Sequence, residues 1–299
     1  MAPRLTTFRL AHLSDLHLTP PARPFQWADV TSKRLLSRIA WRRKRHRHLE
    51  PVLNAITASI RERAPDHVAI TGDLINFATP EEFEAARQWL TGLGPPSDIT
   101  VSPGNHDALV RRDAPDAFAP WAPWLSDANE EAFPHLRRRG PVAIINLSSA
   151  RPTALHLAQG SLGSAQIERV EAMLRSTGEQ GFFRIVLAHH PVASGVVSNR
   201  KALTDMASLQ AVLARAGAEL VLHGHAHEAV LNRVAGPLGA IPVLGVPSAS
   251  TPAGLAGEQA ARWNEIAVSR DTKGFRVQVA THGVTRDLSV IKMGEYALI

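Results

Sequence analysis

Six short runs of aliphatic and β-branched residues divide the chain, and each run ends in polar residues. The runs are apolar at consecutive positions rather than at alternate ones, which is typical of strands that are buried on both faces. They therefore predict a layered core that contains sheets. The predicted strands cover residues 8–13, 67–70, 99–101, 142–147, 184–188 and 220–222.

Segments with apolar residues three and four positions apart lie between these runs and predict helices. Strands that alternate with helices predict an α/β fold in which helices pack on sheets. Thr79 precedes Pro80 and is predicted as a helix N-cap, as is Ser164 before its own helix. The sequence after His227 predicts further strands, which are expected to complete a second sheet. The predicted helices cover roughly residues 50–63, 80–92, 164–176 and 205–216.

Two segments interrupt this alternation. A basic segment between Asp29 and Glu50 contains no acidic residue and predicts a helical insert at about 31–50. A segment rich in proline and tryptophan at about 108–135 predicts a surface loop that either has a function or covers a sheet edge. Without a repeat or a linker-like segment, we expect a single domain over residues 1–299. The cations of the basic segment are Lys33, Arg34, Arg38, Arg42, Arg43, Lys44, Arg45 and Arg47.

The composition narrows the class of protein. Of the 299 residues, 44% are hydrophobic and 20% are charged, which is typical of a folded globular protein rather than a disordered or fibrous one. The chain contains no cysteine, which excludes disulfides and thiolate metal ligands. No run of about 18 apolar residues occurs, and the first ten residues lack a signal-peptide core. We therefore expect a cytoplasmic protein, with the basic segment able to hold it at the inner face of a membrane.

Residues with metal-binding side chains follow the predicted strands. Side chains two positions apart point the same way in an extended segment, so Asp15 and His17 are expected to bind one ion together. His225 and His227 have the same spacing, and Gly224 is expected to allow a sharp turn before them. Seven donors exceed the needs of one ion, and oxygen and nitrogen ligands favour Mn, Fe, Zn, Co or Ni. The seven are Asp15, His17, Asp73, Asn105, His189, His225 and His227.

Each of these residues also has a structural interpretation. An isolated Asp-x-His is commonly a capping or solvated pair, and Gly-Asp is common in turns. His12, His190 and His223 are interpreted as packing residues or as partners of ligands. The recurrence of such residues at the ends of five strand-like runs favours a shared site over coincidence.

Five motifs follow one another along the chain: D-L-H (15–17), G-D (72–73), G-N-H-D (104–107), H-H-P (189–191) and G-H-A-H (224–227). This ordered set resembles the signature of the calcineurin-like metallophosphoesterases. The order of the motifs, and D-L-H-L followed by G-D-L-I, resemble most the branch that contains the class III cyclic-nucleotide phosphodiesterases. The sequence fills every metal-ligand position of the family.

The resemblance implies a four-layer α/β/β/α sandwich of two mixed sheets flanked by helices. It implies that Asp15, His17 and His227 hold one metal ion, that Asn105, His189 and His225 hold a second, and that Asp73 bridges them. His106 would stabilise the phosphate or protonate the leaving oxygen, and Asp107 would orient His106 by accepting its second N–H. The implied reaction is hydrolysis of a phosphodiester or related phosphoester by a metal-bridging hydroxide.

The resemblance leaves the substrate open. The basic segment contains the apolar residues Leu35, Leu36, Ile39 and Trp41. It therefore predicts either a helix packed on the domain or contact of residues 33–47 with an anionic membrane. Membrane contact would suit a lipid-linked phosphate or pyrophosphate such as UDP-2,3-diacylglucosamine.

Two further classes of function are considered. Nucleic acid is a less favoured partner, because a strand-tracking groove needs stacking residues and the candidates are few. They are Trp27, Trp41, Trp121 and Trp124. The other alternative is a metal-stabilised protein-binding module without activity, against which the intact ligand positions argue. The sequence does not determine the oligomeric state.

Overall fold

Two six-stranded sheets stack face to face, and helices cover their outer faces. The computed structural model describes residues 7–22, 33–110, 115–127 and 132–298. The α-helices are α1 (Lys33–Lys44), α2 (Glu50–Arg63), α3 (Pro80–Leu93), α4 (Ala122–Leu125), α5 (Ser164–Glu179) and α6 (Met206–Ala216). The strands are β1 (Phe8–Leu13), β2 (His67–Ile70), β3 (Ile99–Val101), β4 (His135–Arg139), β5 (Val142–Asn146), β6 (Phe183–Leu187), β7 (Leu220–His223), β8 (Val230–Gly236), β9 (Gly239–Gly245), β10 (Arg262–Asp271), β11 (Gly274–Val284) and β12 (Val290–Ala297).

Both sheets are mixed. The first has the order β12-β11-β10-β1-β2-β3, in which β1, β2 and β3 run parallel. The second has the order β4-β5-β6-β7-β9-β8, in which β5, β6, β7 and β9 run parallel. The six strands predicted from apolar runs are confirmed to within one residue at each end. Because parallel strands within a sheet point the same way, their carboxyl ends share one edge.

The strands after His227 divide between the two sheets. β8 and β9 extend the second sheet, but β10, β11 and β12 extend the first, so the expectation that the whole region completes the second sheet is wrong. β10 pairs antiparallel with β1 in a register that places Phe8 opposite Val268 and Leu10 opposite Ile266. All four side chains lie in the apolar layer between the sheets, which explains why this register is stable.

Three apolar clusters define the layers. Residues such as Leu10 and Leu222 fill the space between the sheets. A second cluster includes Ile56 of α2 and Phe83 of α3 against the outer face of the first sheet. A third includes Val170 of α5 against the second sheet. The predicted four-layer α/β/β/α arrangement is thereby confirmed.

The helix N-termini are stabilised in two different ways. Thr79 caps α3 as predicted: its hydroxyl accepts from Glu82 N at 3.3 Å, and the Glu82 carboxylate accepts from Thr79 N at 3.1 Å. The prediction that Ser164 caps α5 is wrong, because the N-cap is Gly163. The carboxylate of Asp205 instead accepts from Gly163 N at 2.8 Å, so a distant residue stabilises this helix start.

The basic segment forms α1 and a 3-10 helix at Arg45–Arg47, as expected for a helical insert, although residues 31–32 lie outside the described range. Three contacts attach it to the sandwich. Lys33 Nζ donates to Leu157 O at 2.7 Å, Arg34 donates to the carbonyl oxygens of the 77–78 turn, and Arg47 pairs with Glu258. These contacts hold the insert against the sandwich.

The segment rich in proline and tryptophan contains helical turns, a 3-10 helix at Pro115–Trp121 followed by α4. The side chains of Trp121 and Trp124 are buried, and Trp121 Nε1 donates to Phe83 O at 3.1 Å. The suggestion that these two tryptophans stack nucleic-acid bases is therefore wrong. Trp27, the third candidate, lies outside the described residues. The expectation of a single domain stays a prediction.

In the described part of the chain, no helix is both long enough and apolar enough to cross a membrane.

Candidate metal centre

The predicted site residues meet at one edge of the sandwich. They follow the carboxyl ends of β1, β2 and β3 in the first sheet and of β6 and β7 in the second. Ligand-binding groups commonly collect at such strand ends. The structure brings all seven candidate ligands to this edge, together with His106 and Asp107.

Potential ligand atoms form two groups. Asp15, His17 and His227 form the outer cluster, and Asp73, His189 and His225 form the inner cluster. Within each cluster the ligand atoms all lie within 4.8 Å of one another. The seventh candidate, Asn105, adjoins the inner cluster, with its Oδ1 3.1 Å from His189 Nε2.

Asp73 lies between the two clusters. Its Oδ2 is 3.4 Å from His189 Nε2 of the inner cluster and 4.0 Å from His17 Nε2 of the outer cluster. Its Oδ1 accepts a hydrogen bond from the main-chain N of His106 at 2.8 Å. One carboxylate thus faces both groups while a backbone amide fixes its orientation.

Unusual backbone conformations, which the sequence did not predict, direct these side chains into the site. Five candidate ligands have left-handed conformations rather than extended ones, so the two-residue spacing does not act as it would in a strand. Such residues cost about 1–3 kcal/mol each and persist only where the surrounding structure enforces them. They are Asp15 (φ 54°), His17 (φ 45°), Asp73 (φ 52°), His225 (φ 65°) and His227 (φ 57°).

Main-chain hydrogen bonds enforce these conformations. Asp15 N donates to Gly72 O at 2.9 Å, and His17 N donates to Asp73 O at 3.0 Å, so the loops after β1 and β2 support each other. A Cβ at Gly224 would overlap Ser14 Oγ and lie 2.5 Å from Asp15 Oδ2. Gly224 is therefore required because the loops of the two sheets approach each other closely here. The expectation that this glycine is needed for a sharp turn is wrong.

Three histidines have fixed orientations because one ring nitrogen of each is bonded away from the centre. Nδ1 of His189 donates to Thr71 O at 2.7 Å, and Nε2 of His225 donates to Lys201 O at 2.9 Å. Nδ1 of His17 is paired with Asn76 Oδ1 at 3.1 Å. Each ring thus directs its other nitrogen at the clusters, which is the usual arrangement of metal-binding imidazoles.

This arrangement fits bound cations. The inward nitrogens of His189 and His225 lie 3.2 Å apart, a contact that a positive charge, from a proton on His189 or from a cation, stabilises. Asp15 Oδ1 is fully buried, and among the described residues no donor meets it with hydrogen-bond geometry, although His227 Nε2 lies 3.2 Å away. A buried carboxylate oxygen without a donor is stabilised by a cation. Oxygen and nitrogen donors of this kind suit first-row divalent metals.

The pKa values of the cluster residues also favour bound cations. Burial alone would raise the pKa of Asp73, but the neighbouring His189 and His106 hold it well below its ordinary value. Burial likewise disfavours a charged His189, yet the carboxylate of Asp73 raises the pKa of His189 to about 9. By contrast, burial lowers the pKa of His17 well below its ordinary value, with help from His48. The carboxylates thus draw positive charge into the centre.

The predicted role of Asp107 is wrong. Its carboxylate accepts from Ile75 N at 3.1 Å and from Gly104 N at 2.8 Å, so it holds two loops together and does not orient His106. Burial, and then the charge of Asp73, raises the pKa of Asp107 to about 8. His106 is oriented instead by Nδ1, which lies 3.0 Å from Asn76 O.

Sequence reasoning missed two residues of the site. Asn76 holds both His17, through its side chain, and His106, through its carbonyl. His48, at the end of the basic insert, places its ring 4.2 Å from that of His17 and stacks on Trp41. Asn76 lies three residues after Asp73 and His48 lies within a run of cations, so neither carried a distinguishing signal.

Other predictions near the site concern packing. His12, His190 and His223 are fully buried, as their interpretation as packing residues requires. Ser248, in a segment that was expected to run close to the site, donates to Asp15 O at 2.6 Å. Ser250 lies 2.9 Å from His48 Nδ1 and so connects the insert to the site.

A cavity of about 380 Å³ opens over the two clusters. Its floor includes His17, Asp73, Asn105 and His106, and one face of α1 forms a wall. A second cavity of about 530 Å³ lies on the other side of Trp41 and His48, which line both spaces. The basic insert thus borders the candidate site directly.

Comparison with known proteins agrees with this geometry. A probable cyclic nucleotide phosphodiesterase of Synechococcus sp. is 27% identical over 229 residues, or 76% of each chain. A glycerophosphodiester phosphodiesterase of Enterobacter lignolyticus is 48% identical over 48 residues, or 16% of each chain. A dimetal phosphatase of Danio rerio has the same fold, with a TM-score of 0.59 and 11% identity over 96% of this chain and 98% of that one.

The model of the calcineurin-like phosphoesterase family matches residues 8–229, a range that contains both clusters and all five motifs. The chain therefore belongs to the calcineurin-like phosphoesterase family and is a metal-dependent phosphoester hydrolase.

Proposed function

We propose that the chain is a phosphodiesterase whose two metal ions are held by the inner and outer clusters. The family implies two divalent metal ions. We assign Asp15, His17 and His227 to one ion, Asn105, His189 and His225 to the other, and Asp73 to both. The observation that carries this assignment is the position of Asp73 Oδ2, within 4.0 Å of a histidine nitrogen of each cluster.

The metal pair, when bound, would supply positive charge to the phosphoryl oxygens and acidify the attacking water. The protein residues supply position and exclusion of solvent. Main-chain carbonyls of Thr71 and Lys201 and the side chain of Asn76 fix three imidazoles. The left-handed residues make the site rigid before substrate binds, which lowers the cost of reorganisation during reaction.

His106 is proposed to transfer a proton to the leaving oxygen. Its Nδ1 lies 3.0 Å from the carbonyl oxygen of Asn76 and donates to it, which leaves Nε2 for the substrate. The residue lines the cavity beside Asp73 and Asn105, where a leaving group would lie. A histidine whose free ring nitrogen faces the substrate is positioned to act as a general acid.

A phosphodiester is the favoured substrate class. Both curated relatives are described as phosphodiesterases, one of cyclic nucleotides and one of glycerophosphodiesters. The cavity of about 380 Å³ is large enough for a small diester with two organic groups. The neighbouring cavity beyond Trp41 leaves room for a longer alcohol group.

A lipid-linked phosphoester at an anionic membrane is a second candidate. The observation that favours it is the outer face of α1, where Leu36 is 44% and Ile39 is 42% exposed among basic residues. Exposed apolar residues surrounded by cations are typical of helices that lie on anionic membranes. The apolar stripe expected from the sequence is divided: Trp41 packs against the cluster on the outer face of the first sheet and also lines the cavity, whereas Leu36 and Ile39 are exposed.

Hydrolysis by metal-loaded enzyme tests the proposal. Protein reconstituted with Mn²⁺ is expected to contain two ions per chain and to release 4-nitrophenol from bis(4-nitrophenyl) phosphate. Two bound ions without hydrolysis of any phosphodiester would contradict the proposed activity. Sedimentation with anionic and neutral vesicles separates the second candidate, for which Leu36→Ser with Ile39→Ser should abolish binding to the anionic vesicles.

A further inference from the structure

The cavity over the two clusters has more positive charge than one phosphodiester requires. Lys44, Arg47 and Lys201 line it together with the candidate ligands. Arg47 is paired with Glu258, so its charge is already compensated. Among the residues that the structure describes, no carboxylate lies within ion-pair distance of the ammonium group of Lys44 or Lys201.

The fold holds Lys44 at the cavity. Ser37, Ala40, Trp41 and Lys44 line the cavity and occupy positions i, i+3, i+4 and i+7 of α1, so they form one face of that helix. Ser37 and Ala40 are small and leave room beneath the helix, while Lys44 and Trp41 extend over it. The bonds of Lys33 and Arg34 at the beginning of α1 and the Arg47–Glu258 pair after its end fix this face over the site.

Lys201 is fixed from the opposite side. Its carbonyl oxygen accepts the Nε2 hydrogen of His225 at 2.9 Å, so its main chain is in direct contact with the inner cluster. Its side chain is exposed and lines the same cavity as Lys44. The two lysines come from α1 and from the loop before α6, and both line this cavity.

We propose that Lys44 and Lys201 form a subsite for a second anionic group of the substrate, such as a terminal phosphate or carboxylate on one of the two alcohols. The proposal rests on the proposed phosphodiesterase function and specifies its substrate class. A diester carries one negative charge, which two metal ions more than balance. Two additional unpaired cations in the cavity are complementary to further negative charge.

A pair of substrates with the same leaving group tests the subsite. Ethyl 4-nitrophenyl phosphate is the plain diester, and 2-phosphonooxyethyl 4-nitrophenyl phosphate, with a terminal phosphate, is the charged diester. The Mn²⁺-loaded protein is expected to show a kcat/KM for the charged diester about tenfold above that for the plain one, equivalent to about 1.4 kcal/mol. Release of 4-nitrophenol reports only cleavage of the diester bond.

Single variants separate the subsite from general attraction of anions. Lys44→Ala and Lys201→Ala are each expected to lower the preference for the charged diester about three- to fivefold, as for one exposed charge pair. The double variant should have almost no preference, and Lys44→Glu should lower it further than Lys44→Ala. Arg43→Ala and Arg200→Ala remove exposed neighbouring cations that do not line the cavity, and they should retain the preference.

Three results would overturn the subsite. These are equal kcat/KM values for the two diesters in the unaltered protein, an unchanged preference in the double variant, or an equal loss in the two controls. The last result would mean that total charge, not these two residues, attracts the substrate. If the plain diester is not hydrolysed at all, the proposed function itself fails, so the two failures are distinguishable.

Discussion

The inner and outer clusters contain the same groups, one carboxylate and two imidazoles, in different surroundings. In the inner cluster Asp73, His189 and His225 are all buried. In the outer cluster the side chain of His227 is 28% exposed and faces His48 of the basic insert. The residue types are therefore equal, but among these six residues only His227 is more than a tenth exposed.

The supports of the two clusters differ as well. The inner histidines donate to the main-chain oxygens of Thr71 and Lys201. Substitution of the Thr71 or Lys201 side chain leaves these acceptors in place. The outer His17 relies on the side chain of Asn76. Equal ligand chemistry thus does not imply equal affinity, because access and orientation also contribute. We expect the inner ion to bind more tightly and to exchange more slowly than the outer one.

Asp73→Ala should have the largest effect, since it removes the group that faces both clusters. We expect kcat/KM to fall by at least about 10³-fold, equivalent to about 4 kcal/mol, with loss of both ions. Metal content per chain and hydrolysis of bis(4-nitrophenyl) phosphate measure the result. Asp271→Ala, which removes a partly exposed carboxylate paired with Arg276, serves as the control. Normal turnover in Asp73→Ala would overturn the assignment of the site.

Comparison of His225→Ala with His227→Ala tests the difference between the clusters directly. Water can replace the partly exposed His227 more easily than the buried His225. We therefore expect the loss in kcat/KM to be about tenfold greater for His225→Ala, equivalent to about 1.4 kcal/mol. Added Mn²⁺ should restore more activity to His227→Ala. Equal losses and equal rescue would show that the two sites are equivalent.

Asn76→Ala is expected to weaken only the outer ion. It removes the acceptor of His17 Nδ1 while leaving the main-chain acceptor of His106 in place. Loss of such a partner typically costs about 10- to 100-fold in metal affinity. Competition with a fluorescent chelator measures the two dissociation constants, and Asn199→Ala provides an exposed asparagine as control. A matching decrease for the inner ion would contradict the independence of the supports.

His67 shows how burial changes the pKa of a histidine that has no carboxylate of the site beside it. Burial, and then the charges of Arg139 and Arg137, lowers the pKa of His67 to about 3, whereas Asp73 raises that of His189. Below the unfolded value of about 6.5 the unfolded chain gains a proton that folded His67 rejects, so stability falls as pH falls from 6.5 towards 3.

His67→Leu should reduce this slope by up to about 1.4 kcal/mol per pH unit. Urea unfolding at pH 7, 6 and 5 with constant metal concentration measures it. An unchanged slope would mean that folded His67 takes up a proton as readily as the unfolded chain does. His67 lies outside both clusters.

The sequence predicted the strands and the ligand set through local signals. Buried parallel strands are continuous apolar runs, so β1, β2 and β3 could be located to the residue. The N-cap of α3 was also local, since Thr79 and Glu82 satisfy each other. In contrast, α5 receives its N-terminal acceptor from Asp205, far along the chain, and the cap predicted at Ser164 was wrong.

Roles that depend on neighbours distant in sequence could not be predicted. Asp107 and His106 are adjacent, yet Asp107 bonds the amides of Gly104 and Ile75 because these loops meet only in the folded molecule. His48 contacts His17 of the site, although it belongs to a basic insert whose position relative to the site the sequence did not predict. The assignment of β10 to the first sheet likewise required the pairing with β1.

By itself, the sequence determined which chemical groups are available and that they follow strand ends, because apolar runs and residue types are local properties. Only the tertiary structure decided how they are aimed. Asp15 and His17 meet the other residues through left-handed backbone held by the loop after β2, not through the alternation of a strand. The same packing placed α1 across the cavity and turned a run of cations into a wall of the site.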